Sequence, residues 1–117
     1  MRICVRNQTR QNVLASAADV ADTSVKRRTG LLKHKNLEPG DGLWIVPCES
    51  VHTFFMRFAI DLIYLDKQRK IRKLRRAVPP WRISACFAAH SVLELPAGTI
   101  AETGVAVGDQ LSIETLA

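Results

Sequence analysis

The sequence predicts a mainly β fold of the α+β class: a compact antiparallel sheet, barrel-like or curled, with one or two short helices. About seven short strand-like runs are separated by turn residues, and only two stretches favour a helical turn. The last part of the chain, 95–114, combines a helical turn, a Val-Gly-Asp turn and an apolar strand, which is common where small β barrels close. A chain of 117 residues can bury one hydrophobic core, so a single domain spanning 1–117 is expected.

The N-terminal part of the chain is expected to hold three strands and one short helix. Thr23 is a suitable N-cap for a helix that runs through Arg28 and ends at Gly30. A loop with strong turn residues follows, and Pro47 stops the next apolar run. The strands are predicted at 3–5, 12–20 and 43–46.

The second part of the chain is expected to be richer in strands. In 51–58, a period of two places His52, Phe54, Met56 and Phe58 on one face of a strand. The polar turn that begins at Asp66 predicts a hairpin between its two flanking strands. The predicted elements are strands at 51–58, 60–66, 69–78, 91–95 and 110–114, a loop or single turn at 84–90 and a short helix at 98–103.

The positive charge of the chain is concentrated in one segment. The formal net charge is +6, and the segment 67–76 holds seven of the seventeen bases and no acid. The rest of the chain has ten bases against eleven acids, a net charge of −1. This segment could bind nucleic acid or an acidic protein, or its charges could keep an exposed edge strand from pairing with other chains. The bases are Lys67, Arg69, Lys70, Arg72, Lys73, Arg75 and Arg76.

Composition and terminal sequence bear on the location of the protein. No apolar run approaches the roughly 20 residues that span a bilayer. The first residues lack the apolar run of a signal peptide, so a cytoplasmic protein without a transmembrane segment is expected. Three cysteines, an odd number, are expected to be free thiols in a reducing cytoplasm.

A thiol, an imidazole, a guanidinium and a carboxylate lie within the fourteen residues from Cys48 to Asp61, in otherwise apolar, strand-like sequence. Polar groups in such sequence must find partners or reduce stability when buried. They therefore either form a structural hydrogen-bond network or line a ligand pocket, which would include His52, Arg57, Asp61 and Glu94. A carboxylate beside an imidazole could also orient a general base. The residues favour a non-enzymatic accessory or binding domain, with a small hydrolase as the alternative.

Two similar spacings bring cysteine and histidine together in the sequence. Cys48 and His52 are separated by three residues, and so are Cys86 and His90. Two thiols and two imidazoles can hold zinc in a tetrahedral site, which would suit a metal-dependent hydrolase. The two cysteines could instead form a disulfide or have no special role. No cofactor other than this possible zinc is expected.

Six short segments give the chain a family resemblance. In order and spacing they are similar to the small prokaryotic family called domain of unknown function 192, over roughly 13–114. The resemblance implies a compact, mainly β fold with little helix, and it assigns no biochemical activity. Two positions depart from the commoner family pattern: Arg57–Phe58 replaces Lys-Asn, and the turn after Asp66 lacks the usual Gly. The six segments are Arg28–Leu32, Gly42–Ile45, His52–Arg57, Ile60–Asp66, Val92–Gly98 and Val107–Asp109.

Overall fold

The computed structural model describes residues 1–32 and 34–116. Within these ranges the chain forms nine strands and two short helices. Strands dominate, which confirms the mainly β prediction. The elements are β1 (Arg2–Asn7), β2 (Asn12–Ala21), α1 (Ser24–Thr29), β3 (Leu43–Ile45), β4 (Ser50–His52), β5 (Ile60–Leu65), β6 (Ile71–Val78), β7 (Ile83–Ala85), β8 (Ser91–Pro96), α2 (Thr99–Thr103) and β9 (Leu111–Thr115).

Seven strands form one open, mixed sheet in the order β6-β5-β8-β3-β2-β1-β9, and β4 and β7 form a separate two-stranded sheet. Neighbouring strands are antiparallel, except that β2 and β3 run parallel. The edge strands β6 and β9 approach each other at one end, where an isolated bridge joins Lys70 and Gln110. The large sheet is curled but not closed into a barrel, so the curled-sheet form of the prediction is correct and the barrel form is wrong.

Apolar clusters cover both faces of the large sheet. On β5, Ile63 and Leu65 belong to the cluster inside the curl, which α2 covers through Ile100. Leu62 and Tyr64 point the other way, into a second cluster that also includes Leu31. Every residue of β5 is buried, because the strand is covered from both sides.

Both helices begin and end close to where the sequence predicts. The Thr23 hydroxyl accepts a hydrogen bond from the backbone N–H of Lys26, and the N–H of Gly30 bonds back to the Lys26 carbonyl. Gly98 and Gly104 flank α2 with left-handed φ angles of 100° and 69°. The left-handed conformation favours glycine, which explains why this helix is only five residues long.

The prediction of a strand over 51–58 is wrong. Only Ser50–His52 is extended, and the chain then turns through Phe55, whose φ is +65°. The turn forms because Thr53 bonds to the distant segment 79–82 rather than to a neighbouring strand. The partner of β4 is β7, which lies partly in the stretch 84–90 that the sequence predicts to be a loop.

The hairpin between β5 and β6 is confirmed, including its turn. The Asp66 carboxylate accepts hydrogen bonds from the backbone N–H groups of Gln68 and Lys70. Arg69 has a left-handed φ of +64° in this turn, where the expected family pattern has glycine nearby. Its guanidinium lies 5.3 Å from the centre of the Trp44 ring, so a cation–π contact offsets part of the backbone strain.

Asp109 connects the start of β9 to the turn between β1 and β2. Its carboxylate accepts hydrogen bonds from the Asn7 side chain at 2.9 Å, from Arg10 Nε at 2.6 Å and from the N–H of Ala106 at 3.0 Å. Burial by itself would raise the pKa of Asp109, but these hydrogen bonds and the charge of Arg10 outweigh it and hold that pKa below its usual value. The aspartate therefore stays ionised and supports the fold.

Among the described residues, no helix is long and apolar enough to cross a membrane.

Candidate functional site

An open cleft of about 720 Å³ lies beside α1, on the face of the large sheet that carries Leu62 and Tyr64. One wall is α1 and the segment that follows it. The opposite wall is the loop that leads into β4, and Glu94 of β8 lies at the base. The lining residues are Ser24, Arg27–Leu32, Ile45, Pro47–His52, Met56 and Glu94.

Glu94 is the most unusual group in the cleft. Only 3% of the residue is exposed, yet its carboxyl oxygens have no hydrogen-bond or ion-pair partner anywhere in 1–32 or 34–116. Burial raises its pKa from 4.5 to about 8. At neutral pH the side chain is therefore mostly a neutral carboxylic acid, which can both donate and accept a hydrogen bond.

Cys48 lies in the wall of the cleft within the electrostatic field of Glu94. Its thiol donates to the carbonyl of Ser50 at 3.1 Å. Burial, above all, raises the pKa of the Cys48 thiol, and a negative charge on Glu94 raises it further. The nearby Arg27 acts in the opposite direction. The three side chains are thus electrostatically coupled around one cavity.

His52 lines the same cleft but lies at its exposed rim. Its Nδ1 accepts a hydrogen bond from the N–H of Phe54 at 3.3 Å, and the two rings are 5.0 Å apart. The cleft thus brings together His52 and Glu94, two of the four predicted pocket residues.

The other two predicted pocket residues are not part of this cleft. Asp61 pairs with Leu95 across β5 and β8, next to the pair of Leu62 and Glu94, so the two carboxylates point to opposite faces of the sheet. Asp61 is 1% exposed and accepts backbone hydrogen bonds from Ala77 and Ile100, each at 2.8 Å. No hydrogen bond joins it to His52 within the described ranges, and the general-base pair is not formed.

Arg57 lies on an exposed loop outside the cleft. Its guanidinium has no hydrogen bond or ion pair with any described residue, so the structure leaves it available to solvent or a partner.

The two cysteine–histidine segments meet through their backbones. The N–H of Cys48 bonds to the carbonyl of His90, and the N–H of Cys86 bonds to the carbonyl of Glu49, both at 2.8 Å. Both cysteines are free and pack against the same apolar cluster. In 1–32 and 34–116, however, no three His, Cys, Asp or Glu side chains converge so as to hold a metal ion. The predicted set of Cys48, His52, Cys86 and His90 is therefore not assembled.

The bases of the segment 67–76 fall into two groups. Arg69 contacts Trp44, Arg72 lies 3.6 Å from Asp66, and Lys73 donates to the carbonyl of Ala85 at 2.6 Å. These three are used inside the fold. The other four have no side-chain hydrogen bond or ion pair to any described residue: Lys67, Lys70, Arg75 and Arg76.

Sequence reasoning missed Arg27 and Arg28 as cleft residues. Both lie in the last turn of α1, where bases also interact favourably with the helix dipole, so their pattern alone indicated only a helix end. One feature of the sequence could have indicated them: they lie at the end of a short helix that Gly30 terminates, where the family segment Arg28–Leu32 begins.

The curled, open sheet with two short helices and a cleft on one face defines the molecule as a small, mostly β domain. The chain belongs to the family domain of unknown function 192, described as "Uncharacterized ACR, COG1430", whose model matches residues 5–113. The resemblance seen in the sequence is thereby confirmed.

Relatives and solved structures agree with this assignment. A UPF0127 protein of Thermococcus sibiricus is 34% identical over 114 residues, which cover 92% of this chain and 73% of that protein. A protein of unknown function from Novosphingobium aromaticivorans superposes with a TM-score of 0.82 at 18% identity, covering 96% of this chain and 84% of that one. A structure from Sinorhizobium meliloti gives a TM-score of 0.83 at 21% identity, with coverages of 95% and 91%. At these identities the two structures establish the fold alone.

Proposed function

We propose that this domain binds a small molecule in the cleft and recognises it through Glu94. The observation that carries the proposal is a carboxyl group that is only 3% exposed, has no hydrogen-bond partner among the residues that the structure describes, and lies at the base of an open cavity. A buried polar group that is not hydrogen-bonded lowers the stability of the folded protein. A ligand that supplies the missing hydrogen bond offsets this loss of stability when it binds.

The charges around the cavity indicate what such a ligand carries. A ligand N–H or cationic group that meets Glu94 stabilises its ionised form and lowers its pKa. At the rim, Arg27 donates to the carbonyl of Val46 at 3.4 Å, and Arg28 is exposed beside it. These guanidinium groups suit a carboxylate or phosphate. The site therefore favours a small ligand with a hydrogen-bond donor at one end and an anionic group at the other.

The proposal replaces the pocket of His52, Arg57 and Asp61 with one of His52, Glu94 and the bases of α1. His52 keeps a place at the rim, where it can contact a bound molecule. Catalysis is not part of the proposal, because no nucleophile and base are hydrogen-bonded to each other among the described cleft residues.

A cytoplasmic location and a single folding unit over 1–117 are also proposed. Three free cysteines suit a reducing compartment. The large sheet supports the single unit, since its strands come from both ends of the chain, with β1 next to β9.

The experiment is an NMR titration of a fragment library that contains amines, amidines and amino acids. Fragments that bind should shift the amide signals of Leu31, Ile45 and Met56, and Glu94→Gln should weaken their binding at least tenfold, the loss expected for a charged hydrogen bond. Glu102→Gln, an exposed carboxylate on α2, is the matched control and should bind normally. Binding to the cleft with equal affinity in Glu94→Gln would contradict the proposal, and so would a library without a single cleft binder.

A further inference from the structure

Three aromatic rings form an exposed cluster at the end of the small sheet, here called the aromatic platform: Phe54, Phe55 and Trp81. Phe55 and Trp81 are 70% and 57% exposed. Trp81 lies nearly parallel to Phe54, at 28° with ring centres 5.8 Å apart, and meets Phe55 edge to face at 4.8 Å. A contiguous exposed apolar patch of this kind is typical of an interaction site.

The buried residue Thr53 holds the aromatic platform in place. Thr53 is 1% exposed and clamps the two loops that carry the rings. Its N–H donates to the carbonyl of Arg82 at 2.9 Å, and its own carbonyl accepts from the N–H of Trp81 at 3.1 Å. Its hydroxyl donates to the carbonyl of Pro79 at 2.7 Å and accepts from the N–H of Arg82 at 2.9 Å. The ring positions are therefore fixed before any partner arrives.

The backbone is strained where it exposes the rings. Phe55 and Trp81 have φ angles of +65° and +67°, which bulky side chains rarely adopt. Strain of this kind persists when the surrounding structure enforces it, and it is concentrated at functional sites. Here the strained residues are the two exposed members of the platform.

The charge around the platform has one sign. From 67 to 90 the chain has eight basic residues and no acid, and Trp81 of the platform lies within this stretch. The edge strand β6 leads directly to them through Pro79 and Pro80. Arg75 and Arg76 near its end have no partner among the described residues, and Arg57 and Arg82 flank the rings in their own loops. A negatively charged partner complements this surface.

We infer that the platform and strand β6 bind single-stranded nucleic acid. Nucleobases would stack on the rings, and phosphates would contact the free guanidinium groups of Arg75 and Arg76 near the end of β6. At about 3.3 Å per residue, β6 extends for roughly 25 Å, which suits the lower end of the 4–16 nucleotides that small single-strand-binding folds cover. The paired bases of a duplex are already stacked on one another, so the platform favours single strands. Free arginines beside a fixed set of rings fit a polymer of alternating phosphates and nucleobases better than they fit a flat lipid surface.

The stacking contact is tested by fluorescence anisotropy with a labelled dT 12-mer and an abasic 12-mer of the same charge. The wild type should bind the dT strand more tightly than the abasic one. Trp81→Ala and Phe55→Ala should each weaken dT binding about 5- to 100-fold, the range for one lost stacking partner. Trp81→Phe should retain most of the affinity. The matched control is Phe87→Ala, which removes a ring that is 82% exposed but outside the platform.

The phosphate contacts are tested by the salt dependence of the same binding. Each phosphate contact to a single strand contributes about 0.7 to the slope of log K against log salt. Arg75→Ala with Arg76→Ala should therefore reduce the slope by about 1.4. Arg6→Ala, an exposed base on β1, should leave the slope unchanged.

Two results would overturn the inference. One is equal binding of the dT and abasic strands with no effect of Trp81→Ala, which would mean charge attraction alone. The other is binding of phosphatidylserine vesicles or polyglutamate, but not of either strand, with the same dependence on Trp81. Thermal unfolding by circular dichroism checks that each variant is folded. Glu94→Gln should not alter strand binding, so failure here is distinguishable from failure of the cleft proposal.

Discussion

Asp61 and Glu94 are buried carboxyl groups on adjacent strands, one register position apart, but they face opposite sides of the sheet. Asp61 lies on the α2 side and accepts two backbone hydrogen bonds, one from Ala77 in β6 and one from Ile100 in α2. Glu94 lies on the cleft side and accepts none from a described residue. Their burial is almost the same, so burial alone does not separate a structural group from a recognition group.

The two carboxyl groups differ in the hydrogen-bond donors that surround them. The hydrogen bonds of Asp61 come from backbone N–H groups whose positions the fold itself determines, and they hold Ala77 in a left-handed conformation with φ +47°. Glu94 has no such donor among the described residues and lines the open cleft. Substitutions at the two sites should therefore differ in kind: a change at Asp61 removes hydrogen bonds that support the fold, and a change at Glu94 alters how stability depends on pH.

The largest effect is expected for Asp61→Ala. Removing the carboxylate leaves two buried N–H groups without acceptors, each worth about 1–3 kcal/mol. We expect the free energy of unfolding to fall by roughly 3–5 kcal/mol, measured by urea denaturation. The control is Asp19→Ala, whose exposed ion pair with Arg2 at 3.4 Å should be worth less than about 1 kcal/mol. A loss at Asp61 no larger than at Asp19 would show that its hydrogen bonds do not support the fold.

The next effect is the pH dependence of stability that Glu94 produces. Its pKa is about 8 in the folded protein and 4.5 as the reference value, so between these values the folded state holds a proton that the unfolded state has lost. Stability from this group is therefore complete at low pH and decreases as the pH rises, by up to about 1.4 kcal/mol per unit.

Urea denaturation at pH 6, 7 and 8 checks this expectation. The wild type should lose roughly 2–3 kcal/mol more than Glu94→Gln over this range, because glutamine does not titrate. The comparison with the variant removes the contribution of all groups that the two proteins share. Parallel curves for the two proteins would mean that Glu94 is solvated or paired.

The sequence predicted local structure well where short-range chemistry determines it. Thr23 and Gly30 bound α1, and Asp66 makes the β5–β6 turn, because caps and turns depend on neighbouring residues. It failed at 51–58, where Thr53 bonds to residues almost thirty positions away. No periodicity of the strand itself contains that information.

The candidate site was only half predicted, for a similar reason. His52 and Asp61 are close in sequence, which favoured a shared pocket, but the register of β5 and β8 sends Asp61 to the far side of the sheet. Glu94, which the sequence also assigns to the pocket, does line the cleft. A shift of one residue in strand register moves each side chain to the opposite face of the sheet. A site on a sheet therefore cannot be located before the strand pairing is known.

A smaller effect is expected for Tyr64→Phe, on the same sheet face as Glu94. The Tyr64 hydroxyl and Ser84 Oγ are 3.0 Å apart and buried, and this bond connects β5 to the small sheet. We expect a loss of about 1 kcal/mol in urea denaturation. Amide hydrogen exchange should become faster in β7, whereas the amide of Ile100, on the Asp61 side, should be unaffected. Ser84→Ala in the same background should add little, since the two hydroxyls act as one pair.

The smallest effect concerns the thiol of Cys48, which reports on the charge of Glu94. Burial raises the pKa of this thiol first, and the negative charge of Glu94 raises it further. Glu94→Gln should therefore lower the thiol pKa, and Asp61→Asn, on the other face, should leave it unchanged. The thiol pKa of each variant is obtained from the rate of iodoacetamide alkylation between pH 7 and 10, which mass spectrometry of the Cys48 peptide monitors. Because Glu94 is itself ionised only above about pH 8, the wild-type and Glu94→Gln rates should separate mainly above that pH. Curves that coincide throughout would place the carboxyl group away from the thiol and remove the electrostatic coupling on which the cleft depends.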